Sequence, residues 1–245
     1  MHTLILLPGL ACDEALWRDQ LPALVAHHRV RVSDVHQRHA TLPEMARALL
    51  TEHDGPLVLV GSSMGGMVAQ HAHREAPQRI AAMALLSTSA RPDPPELLKL
   101  RSEAIVEFEA GRAEAVLRAN AMFAFHPDHA GDRARVDDYV AQILRIGTQQ
   151  LIAQNRAVMA RADMRPWLAD IRCPLLVACG EQDLLTPPEH AHEMAAAVPH
   201  AQLEVIAGAG HLLTWEQPAR VNTLLLQWLA FSPGFDIDRR ERCIQ

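Results

Sequence analysis

Lysine is almost missing: Lys99 stands alone among 245 residues, and every other cationic side chain is arginine. This reads as a trait of base composition rather than of function. Positive charge is short overall. Asp and Glu total 29 against 23 Lys and Arg, a net charge of −6, which argues against nucleic acid or an anionic membrane surface as partner. Cysteine is sparse too. Cys12, Cys173, Cys179 and Cys243 form no CxxC pair. Cys173 and Cys179 read as small apolar groups in or beside a core strand, and a reduced, cytoplasmic setting is expected. No apolar stretch is long enough to span a bilayer. The first residues carry no basic segment and Pro8-Gly9 interrupts their apolar run, so no signal peptide is expected. Histidines are plentiful, and His36/His39, His71/His73 and His190/His192 have spacings that could ligate a metal. Neither HExxH nor a matching carboxylate set accompanies them, so no metal and no cofactor is expected.

What is present is an alternation. Short apolar runs at Thr3–Leu7, Arg29–Ser33, Leu57–Val60, Ala82–Leu86, Leu175–Cys179 and Gln202–Ile206 read as strands, most of them apolar on both faces, as in a helix-covered parallel sheet. Amphipathic segments separate them: Leu16–Ala26, Leu42–Glu52, Met64–Glu75, Pro188–Ala197 and Pro218–Phe231. Thr41 with Glu44, and Thr186 with Glu189, have the spacing of capping boxes. The pattern predicts a doubly wound α/β fold with a mostly parallel sheet of about six strands. From about 91 to 167 the alternation stops. Four helices are expected there, over Pro95–Ala110, Arg112–Ala124, Asp132–Ile146 and Thr148–Arg161. A helical cap inserted after the fourth strand, over a core made of 1–90 and 168–231, is the organisation this suggests; a separate helical domain is the alternative. Residues 232–245 read as a loosely docked tail.

The chemistry concentrates at Leu57-Val58-Leu59-Val60-Gly61-Ser62-Ser63-Met64-Gly65-Gly66. A strand running into Gly-x-Ser-x-Gly, followed by a small-residue helix, is the pattern of a nucleophile elbow with Ser63 at its tip. The turn exposes the hydroxyl and aims a helix N-terminus at developing negative charge. Gly61 and Gly65 keep β-carbons out of the neighbouring strand and helix. Asp183 follows the fifth strand and His211 follows the sixth, both at C-terminal strand ends where open α/β sheets bind ligands. In this order His211 would act as base and Asp183 would orient it. Glu181 is the competing acid. The fourth strand is followed by Ser87, Thr88 and Ser89, none acidic. The oxyanion hole is assigned to the backbone N–H of Met64 and of Leu10, with Gly9 giving room. Met122, Phe123 and Phe125 form an apolar set in the cap that could face substrate, as could Leu212. His126 and His129 read as solvated cap residues, and Glu216 with Pro218 as the start of the last helix.

Pro8-Gly9-Leu10, Gly61-Ser62-Ser63-Met64-Gly65-Gly66, Gly180-Glu181-Gln182-Asp183 with Pro187, and Gly210-His211 followed by Glu216 and Pro218 together resemble the alpha/beta hydrolase superfamily, in particular its small capped bacterial serine esterases. The likeness runs from Thr3 to Phe231. It implies a serine hydrolase acting on a small-molecule acyl ester or lactone through an acyl-enzyme on Ser63, with no cofactor, and it leaves the oligomeric state open. C–C bond hydrolases and thioesterases share such a triad, and a silent ligand-binding protein of the same fold is the alternative of another class. Hydroxynitrile lyases of this superfamily use a lysine near the catalytic histidine, and Lys99 lies in the cap. Two departures stand out. Pro8 occupies the place where the family usually has histidine before the glycine, and the antiparallel hairpin that often precedes the first strand is not expected here, so a wholly parallel six-stranded sheet is expected. The segment Asp34-Val35-His36-Gln37-Arg38-His39 replaces the usual glycine-rich loop and has no assigned role.

Overall fold

The computed structural model describes residues 2–232. In chain order its elements are β1 (Thr3–Leu7), a 3-10 turn (Glu14–Trp17), α1 (Leu21–Val25), β2 (Val30–Val32), α2 (Val35–Arg38), α3 (Leu42–Glu52), β3 (Leu57–Ser62), α4 (Met64–Glu75) and β4 (Ile80–Leu86). Then follow α5 (Pro95–Glu109), α6 (Ala113–Ala124), α7 (Pro127–Ala130), α8 (Arg133–Ile146), α9 (Thr148–Met159) and α10 (Arg165–Leu168). The chain continues through β5 (Leu175–Gly180), α11 (Pro188–Ala197), β6 (Gln202–Ile206), α12 (Leu213–Glu216) and α13 (Pro218–Phe231).

The six strands form one sheet in the order β2-β1-β3-β4-β5-β6, and every pairing is parallel. Side chains on successive strand residues point to opposite faces, and the sequence fills both. Ile5, Leu7, Leu57, Leu59, Met83, Leu85, Leu175 and Val177 pack beneath α3, α4 and α11. Leu4, Leu6, Val58, Val60, Ala82, Ala84, Leu176 and Ala178 face α1 and α13. Strands buried on both faces occupy the centre, whereas the partly exposed β2 and β6 are the edges. This is the doubly wound α/β arrangement read from the alternation.

Between β4 and β5 lies the helical cap. Ile105, Phe108, Leu117, Val140, Ile143, Leu151 and Ile152 give α5, α6, α8 and α9 a hydrophobic cluster of their own. Its base is tied by buried Asp93, which accepts from Arg101 at 2.8 Å and Arg161 at 2.6 Å. Among the described residues, no helix is long and apolar enough to cross a membrane.

Some local expectations are revised. Leu16–Ala26 is not one helix: the Asp13 carboxylate caps a 3-10 turn over Glu14–Trp17, and α1 begins only at Leu21, with Pro22 in its first turn. The unassigned Asp34–His39 stretch folds into α2. Thr41 and Glu44 form a reciprocal capping box. Thr186 and Glu189 do not: α11 starts at Pro188 without a side-chain cap, because the Thr186 hydroxyl is engaged elsewhere. Of the expected tail, only Ser232 lies within the described residues; Cys243 lies outside them.

Candidate active site

β3 delivers the chain into a bend at Ser63, with φ 50° and ψ −117°. Such a conformation costs a non-glycine residue roughly 1–3 kcal/mol, so its surroundings must enforce it. They do so from three sides. The Ser63 N–H donates to the Leu86 carbonyl at 2.9 Å, and the Thr88 hydroxyl donates to the Ser63 carbonyl at 2.7 Å. A β-carbon on Gly61 would come within 2.5 Å of the Gly65 and Gly66 backbone, and one on Gly65 would overlap the Leu7 carbonyl. The two glycines therefore let helix, elbow and β1 close on one another.

The loops after β5 and β6 are equally interlocked. Glu181 N–H donates to Ile206, and Gln182 N–H to Ala209, at 2.9 and 3.0 Å. A β-carbon on Gly180 would sit 2.6 Å from the Ala209 carbonyl carbon. This fixes Asp183 against His211. The His211 Nδ1 lies 2.9 and 3.0 Å from the two Asp183 carboxylate oxygens, and its Nε2 lies 2.9 Å from the Ser63 hydroxyl. The three residues that sequence spacing singled out thus meet in one line. Ser63 is half-buried, while His211 and Asp183 are buried. Nδ1 faces a carboxylate, so it carries the ring proton, and Nε2 is left free to accept from Ser63. Glu181 is exposed, its carboxylate turned to the Gln182 amide.

Thr186 is a participant that sequence reading missed. Its hydroxyl donates to Asp183 Oδ2 at 2.9 Å, and the Leu185 and Thr186 N–H groups donate to Oδ1. Burial alone would raise the Asp183 pKa, but the His211 ring and the Thr186 donors outweigh it and hold the carboxyl below its ordinary range. Asp183 therefore contributes stability that is whole above the unfolded carboxylate pKa, about 3.9, and is lost as pH falls through the lower folded value. Thr186→Val removes one donor to the charged form. We expect its acid-unfolding midpoint, followed by circular dichroism, to lie at higher pH than that of the wild type; an unchanged midpoint would contradict this.

The loop after β1 runs beside the elbow, and a β-carbon on Gly9 would touch that of Ser63 at 3.4 Å. Among the described residues, the N–H groups of Leu10 and Met64 have no protein acceptor. Met64 opens α4, where orphan N–H groups point outward from the helix end. Cys12 ends the loop, and burial pushes its thiol up to about 12, which leaves it inert as a nucleophile.

The cap expectations need correction. Met122 and Phe123 lie on the solvent side of α6, 57% and 40% exposed, whereas Phe125 is fully buried and stands edge-on to Tyr139 at 5.5 Å between ring centroids. The three do not form one cluster, because Phe125 lies just past the end of α6. Leu212 is buried beside His211, and its N–H donates to Ala124. Glu216 is not the start of α13 but a buried tie. Its carboxylate accepts from Gly210 N–H and His126 N–H, both at 2.7 Å, and lies 2.8 Å from the His129 ring. It thereby fastens the cap to the loop bearing His211. Glu216→Ala strands two backbone donors at about 1–3 kcal/mol each, and the expected fall in Tm is roughly 4–24 °C. A calorimetric Tm within about 2 °C of wild type would contradict that role.

Comparison with known proteins agrees with this construction. A family model described as alpha/beta hydrolase fold matches residues 38–218. A protein of Serratia proteamaculans named "Putative carbamate hydrolase RutD" is 28% identical, over 93% of this chain and 90% of its own. Among solved structures, a thermophilic esterase from Thermogutta terrifontis superposes with a TM-score of 0.84 at 28% identity, covering 94% of this chain and 89% of that one. A hydrolase from Pseudomonas aeruginosa PA01 gives 0.80 at 27%, with 93% and 89% covered. With the elbow, the wholly parallel sheet and a model match over most of its length, the chain belongs to the alpha/beta hydrolase family.

Proposed function

We propose that this protein is a serine hydrolase that cleaves a small-molecule acyl ester or lactone through an acyl-enzyme on Ser63. The observation that carries the reading is the 2.9 Å separation of the Ser63 hydroxyl from His211 Nε2, with Asp183 on the far side of the ring. Ser63 Oγ attacks the substrate carbonyl while His211 takes its proton. The carbonyl oxygen becomes an oxyanion facing the Leu10 and Met64 N–H groups, each worth about 3–4 kcal/mol in the transition state. The tetrahedral intermediate collapses, and the alkoxide leaves with the proton from His211. Water then attacks the acyl group by the same route, releasing acid and restoring Ser63. Asp183 stays ionised throughout and stabilises the imidazolium.

Likeness to the named carbamate hydrolase favours a second substrate class on the same machinery. A carbamate ester carries nitrogen where a carboxylic ester carries the carbon next to its carbonyl, so attack with loss of the alcohol would give a carbamoylated Ser63. A lyase reading lacks a lysine in place: Lys99 is exposed on α5 and faces Glu103. We take 91–167 as the cap over a core of 1–90 and 168–231. The test is turnover of p-nitrophenyl acetate through octanoate, and of a p-nitrophenyl carbamate, by wild type and Ser63→Ala. A carbamate preferred over every ester would favour the second class. Equal rates from the two proteins on all substrates would end both.

A further inference from the structure

We propose that Gln154 and His36 are positioning residues that clamp the loop after β1 so that the Leu10 N–H faces the oxyanion, which makes the hole depend on the seating of the cap. The inference rests on the Ser63 acyl-enzyme reading.

The loop needs such a clamp. Ala11 has φ 51°, a left-handed conformation that residues with a β-carbon leave when free to do so. It adjoins Leu10, so relaxation at Ala11 would swing the neighbouring N–H. Two contacts from distant parts of the chain hold the loop. The Ala11 N–H donates to Gln154 Oε1 at 2.6 Å. The Cys12 carbonyl lies 2.7 Å from His36 Nε2, which must therefore be the protonated ring nitrogen. The two side chains are themselves joined, since Gln154 Nε2 donates to the His36 carbonyl at 3.1 Å. A closed ring of Ala11, Gln154, His36 and Cys12 results, with both side chains buried. Burial keeps the His36 ring below its ordinary pKa, against the opposing pull of the Cys12 carbonyl, Asp34 and Asp13.

Gln154 sits on α9, within the cap. The grip on Ala11 is also made by packing, because its methyl is fully buried in the cap's own cluster with Ile105, Phe108, Leu151 and Ile152. The strained residue of the loop is thus held by main chain and side chain from the insertion, and α2 supplies the second anchor. This gives a role to the Asp34–His39 stretch that sequence left unassigned.

The experiment compares Gln154→Met, which keeps size and removes the bonds to Ala11 and His36 along with a third to Gln150 Oε1 at 3.3 Å, with Gln154→Glu, which keeps the acceptor for Ala11 but, when ionised, no donor for the His36 carbonyl. His36→Phe tests the other anchor. With p-nitrophenyl acetate, Gln154→Met should lower kcat about 10- to 100-fold with KM within threefold, less than the loss on deleting an oxyanion donor outright. Inhibition by a methylboronic acid, whose tetrahedral oxygen would occupy the hole, should weaken by the same factor as kcat/KM. Gln154→Glu should recover part of the loss, since it restores the Ala11 acceptor but sets a carboxylate oxygen against the His36 carbonyl. The Gln154→Met/His36→Phe double variant should lose less than the product of the single losses, because both act through one loop. Wild-type kcat and boronate inhibition in folded Gln154→Met would overturn the clamp, as would a rate loss no larger than its unfolded fraction explains. Ser63→Ala is assayed alongside. If it is inactive while Gln154→Met is unimpaired, only the clamp fails; if it matches wild type, the serine mechanism falls and the clamp with it.

Discussion

Asp183→Asn should lower kcat by about 10⁴-fold, the scale seen when a triad histidine is held in the wrong tautomer, while leaving the protein folded. The reason lies in the donors already in place. Oδ1 accepts from the Leu185 and Thr186 N–H groups, and Oδ2 faces the Thr186 hydroxyl and His211 Nδ1. An asparagine keeps its carbonyl oxygen where two fixed N–H groups point, which places its amide NH₂ at the Oδ2 position. That NH₂ donates to Nδ1, and the ring proton moves to Nε2. Nε2–H then points at Ser63 and can no longer take the serine proton. The Thr186 hydroxyl can rotate to accept, so the fold survives the exchange. Steady-state kinetics give the rate, and ¹⁵N NMR of the imidazole reads the tautomer. A kcat for Asp183→Asn within tenfold of wild type would contradict the assignment of Asp183.

Gly65→Ala should be among the most damaging single methyl additions at the described residues. Its β-carbon would lie 2.6 Å from the Leu7 carbonyl carbon and overlap the oxygen. Neither side can yield cheaply, since Leu7 ends a central strand and Gly65 lies in the first turn of α4. A shift of either moves the elbow relative to the Leu10 loop, and an ångström of misplacement costs on the order of 10²-fold in rate. We expect a stability loss of about 4 kcal/mol or more, read by urea denaturation, with the surviving folded fraction nearly inactive. Gly131→Ala is the control. A β-carbon there meets nothing within 4 Å, and the residue already has helical φ and ψ, so its stability should stay within about 0.5 kcal/mol. Equal effects from the two substitutions would show that close approach at the elbow is not what Gly65 serves.

The parts legible in the sequence were those whose cause is local. Ser63 announced itself through the strand and glycines around it, and Asp183 and His211 through their place after apolar runs. The residues that were not legible have partners far along the chain. Gln154 meets Ala11 across 143 positions, and Glu216 meets His126 across 90. No spacing rule marks either pair. Thr186 shows a different limit. Thr186-Pro187-Pro188-Glu189 has capping-box spacing, yet a buried carboxylate nearby competes for the same hydroxyl, and the charge-assisted bond is the stronger one. Met122, Phe123 and Phe125 are close in sequence, but the end of α6 sends Phe125 into the interior while Met122 and Phe123 stay on the solvent side.

Labelling by a fluorophosphonate probe, followed by peptide mass spectrometry, reads out whether His211 activates Ser63. A fluorophosphonate reacts with an activated serine whatever the natural substrate. Stoichiometric modification is expected on the peptide containing Ser63, with none in Ser63→Ala and strongly slowed modification in His211→Ala. An unmodified Ser63 in folded wild-type protein, or labelling that persists unchanged without His211, would contradict it.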